Sequence, residues 1–379
     1  MHVASHGLFD ALVDALDAEI EASITFSLAS PPELREFLAD LDPGLSLDWS
    51  GRSFHGHPAL RERIVEAAGL DDACGPDDVV VTSGAAEANF LALASLLEPG
   101  DEVVVERPGW PQPLVLAPAL GARVVEVNRR EEEGWRLDLE ELLAAIGPRT
   151  RAVFLSNPSN PTGQLLSEEE VRSLAAAAER ADAWLLVDEV YAGLEWDGPR
   201  GVPAANVSAR GVTTGSVSKA LGLQGIRIGW LAGTDRGLLR RAIVLRESTS
   251  EIMNVMGEAI AEIALRPERM ASALEQARVE GRMNLALLAE FAAGRPELDW
   301  HPPRGGLVGL ARLAPAHDAD VLARRLLQPP YRTLVVSGSA FGLPRHLRLG
   351  VGGGPAARLG LGLERLATLL DSDAATLAR

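Results

Sequence analysis

From Asp78 onward the chain alternates short apolar runs with longer amphipathic stretches. DDVVVTSG, DEVVVERP, ARVVEV, RAVFLS, WLLVDEV, GVTTGSV and IRIGWLAG each read as a strand buried on both faces. Between them, AEANFLALASLLEPG and SEEEVRSLAAAAERA carry helical periodicity. Strands alternating with helices predict an α/β fold, a mainly parallel sheet lying between helices. In such sheets ligand chemistry gathers at the carboxyl ends of the strands, so the residues that close each run carry the functional information.

After about Glu251 the texture changes to long helical patterns, notably RMASALEQARVEGRMNLALLAEFAAG. GGLVGLARL, LVVSG, HLRLGVG and a terminal amphipathic helix from about Pro355 follow. This organisation predicts a large domain over 49–265 and a smaller α/β domain over 266–379, joined by the N-terminal segment 1–48. Turn signals crowd the region 24–53, where no regular element is legible.

Several function classes drop out on composition. No stretch approaches the roughly 20 uninterrupted apolar residues of a membrane span, and 1–21 carries acids where a signal peptide has a basic start and an apolar core. The single Cys74 excludes an internal disulfide and a cysteine metal cluster. These features predict a cytoplasmic protein with no metal site. A formal charge of −17 argues against nucleic acid and anionic membranes as partners and leaves small molecules, which respond to local fields.

All but one of the 36 Lys and Arg residues are arginine, the exception being Lys219. Arginine keeps its proton, whereas a desolvated lysine amine can lose it and attack a carbonyl. The solitary amine sits in SVSKALGLQGIRIGW. Asp188 closes the apolar run AWLLVD, with Tyr191 three residues on in DEVY. SNPSNPTG over 156–163 is a Pro/Gly turn that follows another buried run. Ser83, Gly84 and Ala85 follow VVVT and open a helix, a ready anion site. A surface charge, a helix cap and common turns are the bland readings of these pieces one by one.

In their order along the chain, from about Gly56 to Gly353, these segments resemble the class I and II aminotransferases, fold-type I enzymes that use pyridoxal 5′-phosphate. The resemblance implies a seven-stranded, mainly parallel sheet and a Schiff base on Lys219, which also serves as general base. It implies Asp188 at the ring nitrogen of the cofactor, Tyr191 and Asn160 at its phenolate, and Trp110 of ERPGW stacked on its face. Ser83, Gly84, Ala85, Ser216 and Arg227 would cup its phosphate. Arg348 of HLRLG would grip the substrate α-carboxylate beside Asn160, and Ser337 to Phe341 would belong to a lid. A homodimer acting on amino acid and keto acid substrates is implied as well.

The pattern departs in two places. Many relatives carry a tyrosine ahead of the segment read here as GHPALR, one that reaches the neighbouring subunit's phosphate. LDWSGRSFH has none, leaving Trp49, Ser50, Arg52 or His55 as stand-ins. LRESTSEIMN is polar and small where relatives place bulky aromatic residues, and with ITFSLASPPEL it draws the chain toward the branch that includes capreomycidine synthase-like cyclases. The leading expectation is an aminotransferase. A lyase or cyclase that eliminates or replaces a β- or γ-substituent uses the same residues. A non-catalytic sensor domain would carry an added DNA-binding module, yet the cofactor-domain pattern starts within the first 60 residues.

Overall fold

A computed structural model of the protein describes residues 2–48, 53–352 and 356–377, with side chains to 372. All seven apolar runs form strands of one sheet. In spatial order these are Val79–Thr82, Gly229–Ala232, Gly211–Ser216, Trp184–Asp188, Thr150–Ser156, Glu102–Arg107 and Arg123–Arg130. The two-residue strand Arg136–Leu137 pairs antiparallel onto the last of them as an eighth. Within the seven, only Gly229–Ala232 runs against its neighbours.

Successive residues of a strand face opposite sides of a sheet, so a run without alternation must be covered twice. Val103, Val105, Phe154 and Leu186 pack into one core with the helix Ala85–Leu96. Their neighbours Val104, Val153, Leu155, Leu185 and Val187 pack into another with the helix Glu168–Arg180. That second helix opens on a capping box, in which Ser167 accepts from the Glu170 amide and Glu170 from the Ser167 amide.

Register then decides which polar residues meet. Ser156 and Thr214 stand opposite Asp188 in the strands on either side of it, and Ser216 stands opposite Gly229. Short polar side chains therefore line up along the carboxyl edge of the central strands.

A second sheet, antiparallel, comprises Leu298–Trp300, Val308–Leu313, His346–Gly350 and Val336–Ser337 in spatial order. The 27-residue helix Pro267–Ala293 leads into it, starting at a proline whose missing amide costs nothing in a first turn. The illegible region 24–48 is largely irregular, with one turn of 3₁₀ helix at Leu34–Glu36. Its beginning is anchored: Ala22–Ser23 pairs with Thr333–Leu334, and Ile24 O accepts from the Gly350 amide at 2.9 Å. Among the described residues no helix is long and apolar enough to cross a membrane.

Candidate active site

Lys219 lies in the loop after the strand Gly211–Ser216, on the wall of a cavity of about 160 Å³ at the carboxyl edge of the main sheet. Asp188, Tyr191, Asn160, Trp110, Ala85, Ser216 and Arg227 share that wall, so seven further residues expected from the sequence converge on it. Burial, with the Arg348 charge next in size, lowers the Lys219 amine from its ordinary 10.5 to about 8, against the pull of Asp188. A primary amine so tuned is neutral, hence nucleophilic, at mildly alkaline pH.

The other groups are set by their neighbours. Burial pushes the Asp188 carboxyl up, opposed by hydrogen bonds from Asn89 at 2.7 Å and the Val190 amide at 3.2 Å, and by the Lys219 charge. Tyr191 is 1% exposed, its hydroxyl donating to Ser27 O at 3.4 Å, and burial raises it too. Trp110 Nε1 donates to Gln112 Oε1 at 3.1 Å, and Gln112 Nε2 to Ala86 O at 2.7 Å, which fixes the indole against the first turn of the helix Ala85–Leu96. Asn160 is held by its backbone, whose amide donates to Ser156 Oγ at 3.2 Å. Ser156 in turn donates from its own amide and hydroxyl to Glu106, at 2.9 and 3.0 Å.

The expected anion site, Ser83 to Ala85, leads into the helix Ala85–Leu96. The Ser83 amide donates to Glu87 Oε2 at 2.6 Å, and the Gly84 amide to Thr82 O at 2.8 Å. Ala85 and Ala86 line the cavity wall, and their amides, in the first turn of the helix, have no intrahelical acceptor. Gly84 keeps a steric role. It holds φ +81°, and a Cβ there would sit 2.4 Å from Arg227 Nη2. Arg227 Nη2 itself donates to Ser83 O at 3.1 Å.

Arg348 is 4% exposed in the middle of its strand. Its Nε and Nη2 reach only Thr25, and among the described residues no carboxylate lies within ion-pair distance of it. The structural ion pair that would explain a buried arginine is therefore absent there. Arg348 does not line the cavity itself but lies near enough for its charge to act on Lys219 and Tyr191. Phe341, from the expected lid, stacks with its ring centroid 5.9 Å from the guanidinium.

Trp49, Ser50 and Arg52, three of the four stand-ins for the missing tyrosine, lie outside the described residues. His55, the fourth, is tied into the main sheet by its carbonyl, which accepts from the Val81 amide at 2.8 Å. Sequence reasoning missed Asn89, Ser218 and Gln224, all of which line the cavity. Ser218 was within reach, one residue before the lysine; Asn89 sat unmarked in a helical pattern.

These features fit pyridoxal 5′-phosphate. Asn160 Oδ1 and Ser218 Oγ are buried at the cavity without a hydrogen-bond partner among the described residues, and a buried polar atom left unpaired is costly. Helix amides, hydroxyls and one guanidinium form a donor set suited to a phosphate. Fold and site together define a fold-type I enzyme of the pyridoxal-phosphate class.

Known proteins place it further. The family model for aminotransferase class I and II matches residues 51–366. Arginine–pyruvate transaminase AruH of Pseudomonas aeruginosa is 35% identical over 306 residues, covering 78% of this chain and 76% of the relative. Capreomycidine synthase of Streptomyces vinaceus is 31% identical over 318 residues, covering 83% and 81%. The solved structure of a PLP-dependent aminotransferase from Streptococcus suis superposes with a TM-score of 0.88 at 27% identity, over 98% of this chain and 99% of that one. The chain belongs to the class I and II aminotransferase family and is a pyridoxal-phosphate-dependent transferase.

Proposed function

We propose that the protein moves an amino group between an amino acid and a keto acid, with Lys219 as both the attachment point of the cofactor and the carrier of the substrate's α-proton. The observation that carries this reading is a buried, depressed amine under the charges of Asp188 and of an Arg348 that pairs with no carboxylate among the described residues. When bound, pyridoxal 5′-phosphate supplies an aldehyde for amines and a ring that accepts the electron pair released at Cα.

Each residue has one task toward that chemistry. Arg348 offers a guanidinium to the substrate α-carboxylate and so orients the Cα–H bond. Lys219 Nζ, neutral above about pH 8, would take that proton from Cα and return it to the cofactor's aldehyde-derived carbon, on the far side of the substrate nitrogen. Asp188 would hold a proton on the ring nitrogen. Asn160 and Tyr191 would donate to the phenolate, and Trp110 would cover one face of the ring. Ala85, Ala86, Ser216 and Arg227 would hold the phosphate.

Arg227 and Gln224 are exposed in a single chain, which leaves the phosphate end of the cavity open on that side. This supports a homodimer in which a second copy covers it. The single cysteine supports a cytoplasmic location.

Likeness to capreomycidine synthase favours a second reading, in which the same proton removal is followed by loss or replacement of a substituent and ring closure. Incubating the cofactor-loaded protein with candidate amino acids separates the two. Transamination leaves the cofactor in its amine form with one keto acid released per site. Loss of a β- or γ-substituent with the cofactor unchanged would overturn it in favour of the cyclase reading.

A further inference from the structure

Asn89, in the second turn of the helix Ala85–Leu96, is 1% exposed and has no task in the reaction as described above. Its side chain bridges two strands. Thr214 Oγ1 donates to Asn89 Oδ1 at 2.6 Å, and Asn89 Nδ2 donates to Asp188 Oδ2 at 2.7 Å. Thr214 and Asp188 stand opposite each other in neighbouring parallel strands, so the link closes between a helix and two strands.

The orientation of the amide follows from chemistry. An ionised carboxylate only accepts, so the amide nitrogen must face Asp188. The oxygen must then face a donor, and the Thr214 hydroxyl can be one. The opposite orientation would set two acceptors against each other. Asp188 Oδ1 accepts from the Val190 amide at 3.2 Å, so each carboxylate oxygen has one protein donor and lone pairs to spare. Asp188 and Asn89 both line the cavity, toward which that capacity is available.

We infer that Asn89 is a positioning residue, holding the Asp188 carboxylate ionised and in one orientation so that a proton stays on the ring nitrogen of the cofactor. The inference rests on the proposed placement of Asp188 at that nitrogen. The groups around Asp188 leave little else to do this. Lys219 favours its ionised form, burial opposes it, and Glu189 and Tyr191 are close enough for the Asp188 charge to act on them. Glu189 is itself pushed up to about 7 by burial, so it adds a further negative charge in alkaline solution. Without Asn89, one of the two hydrogen bonds that the described residues make to the carboxylate is lost. A protonated Asp188 would donate where it must accept, and the ring nitrogen would lose its proton.

The test is a pH titration of the visible band of protein loaded with pyridoxal 5′-phosphate. Asn89→Leu keeps the volume and removes the donor. A ring without its positive charge repels the neighbouring proton less, so the apparent pKa of the band should rise by about one unit or more, a tenfold change in the underlying equilibrium. Thr214→Val, which frees the amide to turn, should shift it in the same direction by less. Asn89→Gln, which retains a donor, should recover part of the difference. A purely structural Asn89 would lower the melting temperature of Asn89→Leu and leave the titration where it was, and that result would overturn the inference. Should Asn89→Leu not bind cofactor, an unshifted Thr214→Val overturns it instead. Asp188→Asn is the control. If it too leaves the titration unmoved, the failure belongs to the Asp188 reading.

Discussion

The guanidinium of Arg348 donates from Nη2 to the Thr25 carbonyl at 3.2 Å and to the Thr25 hydroxyl at 3.3 Å, and its Nε reaches that hydroxyl at 3.3 Å. Thr25 follows Ile24, whose carbonyl accepts from the Gly350 amide, so the N-terminal segment is stitched to the strand that carries the arginine. The arginine is thereby aimed by neutral acceptors, and no protein anion among the described residues competes for its charge.

Thr25→Val should therefore raise KM for the amino acid by roughly tenfold while changing kcat little, because the lost acceptor loosens the guanidinium without touching the reacting atoms. Arg348→Lys should lower kcat/KM by roughly 10- to 100-fold, since an ammonium cannot reproduce a two-pronged contact. Steady-state kinetics on the first amino acid found active would show both effects. Unchanged kinetics in Arg348→Lys would remove the arginine from the substrate site.

A second pair supports the site from behind. Glu106 and Arg129 have side chains 3% and 1% exposed, with Arg129 Nε donating to Glu106 Oε2 at 2.6 Å. The other oxygen of Glu106 holds Ser156, and through it the Asn160 turn. Arg129→Met would strand a buried carboxylate and should cost about 3–5 kcal/mol of stability. Adding Glu106→Gln should recover much of that loss, as read by denaturant unfolding of the double and single variants.

Which parts of this were legible follows from how each residue is specified. Six of the seven strands are buried nearly throughout and could be read directly, while Arg123–Arg130, with half of its residues exposed, was carried by the short run VVEV. Arg136–Leu137 could not be read, because two residues in a stretch dense with charge carry no periodicity. Lys219 and Asp188 stood out by solitude and by position at a strand end. Thr25 lies in irregular chain, and its role depends on a strand more than 300 residues away. Asn89 resembles any polar residue in a helix until the register of Asp188 and Thr214 is known. Ser83 reads as a plain turn residue until the Glu87 carboxylate, one turn further on, is seen to accept from its amide.

The depressed amine gives a pH prediction for the cofactor-free protein. Lys219 lies at about 8 when folded and 10.5 when unfolded, so the contribution of this group to stability is full above 10.5 and is lost as pH falls through 8. Lys219→Met should accordingly melt higher than the wild type at neutral pH, and the difference should close as pH approaches 10.5. The rate at which the wild type captures pyridoxal 5′-phosphate should climb with pH and level off above about 8. A capture rate independent of pH over this range would contradict the assignment.

Cys74 is fully buried, and burial pushes its thiol up to about 12. The folded protein should resist alkylation in mildly alkaline buffer and react once denatured, since the thiolate is the reactive form. Mass spectrometry before and after unfolding would show this.

The central claim is that the one lysine of the chain carries the cofactor. Borohydride reduction of the loaded protein, followed by peptide mass spectrometry, tests it most directly. Reduction should remove the visible band and leave a single pyridoxyl group on the peptide containing Lys219, with neither seen in Lys219→Arg. A pyridoxyl group found only on the N-terminal amine, or a band that persists in Lys219→Arg, would contradict it.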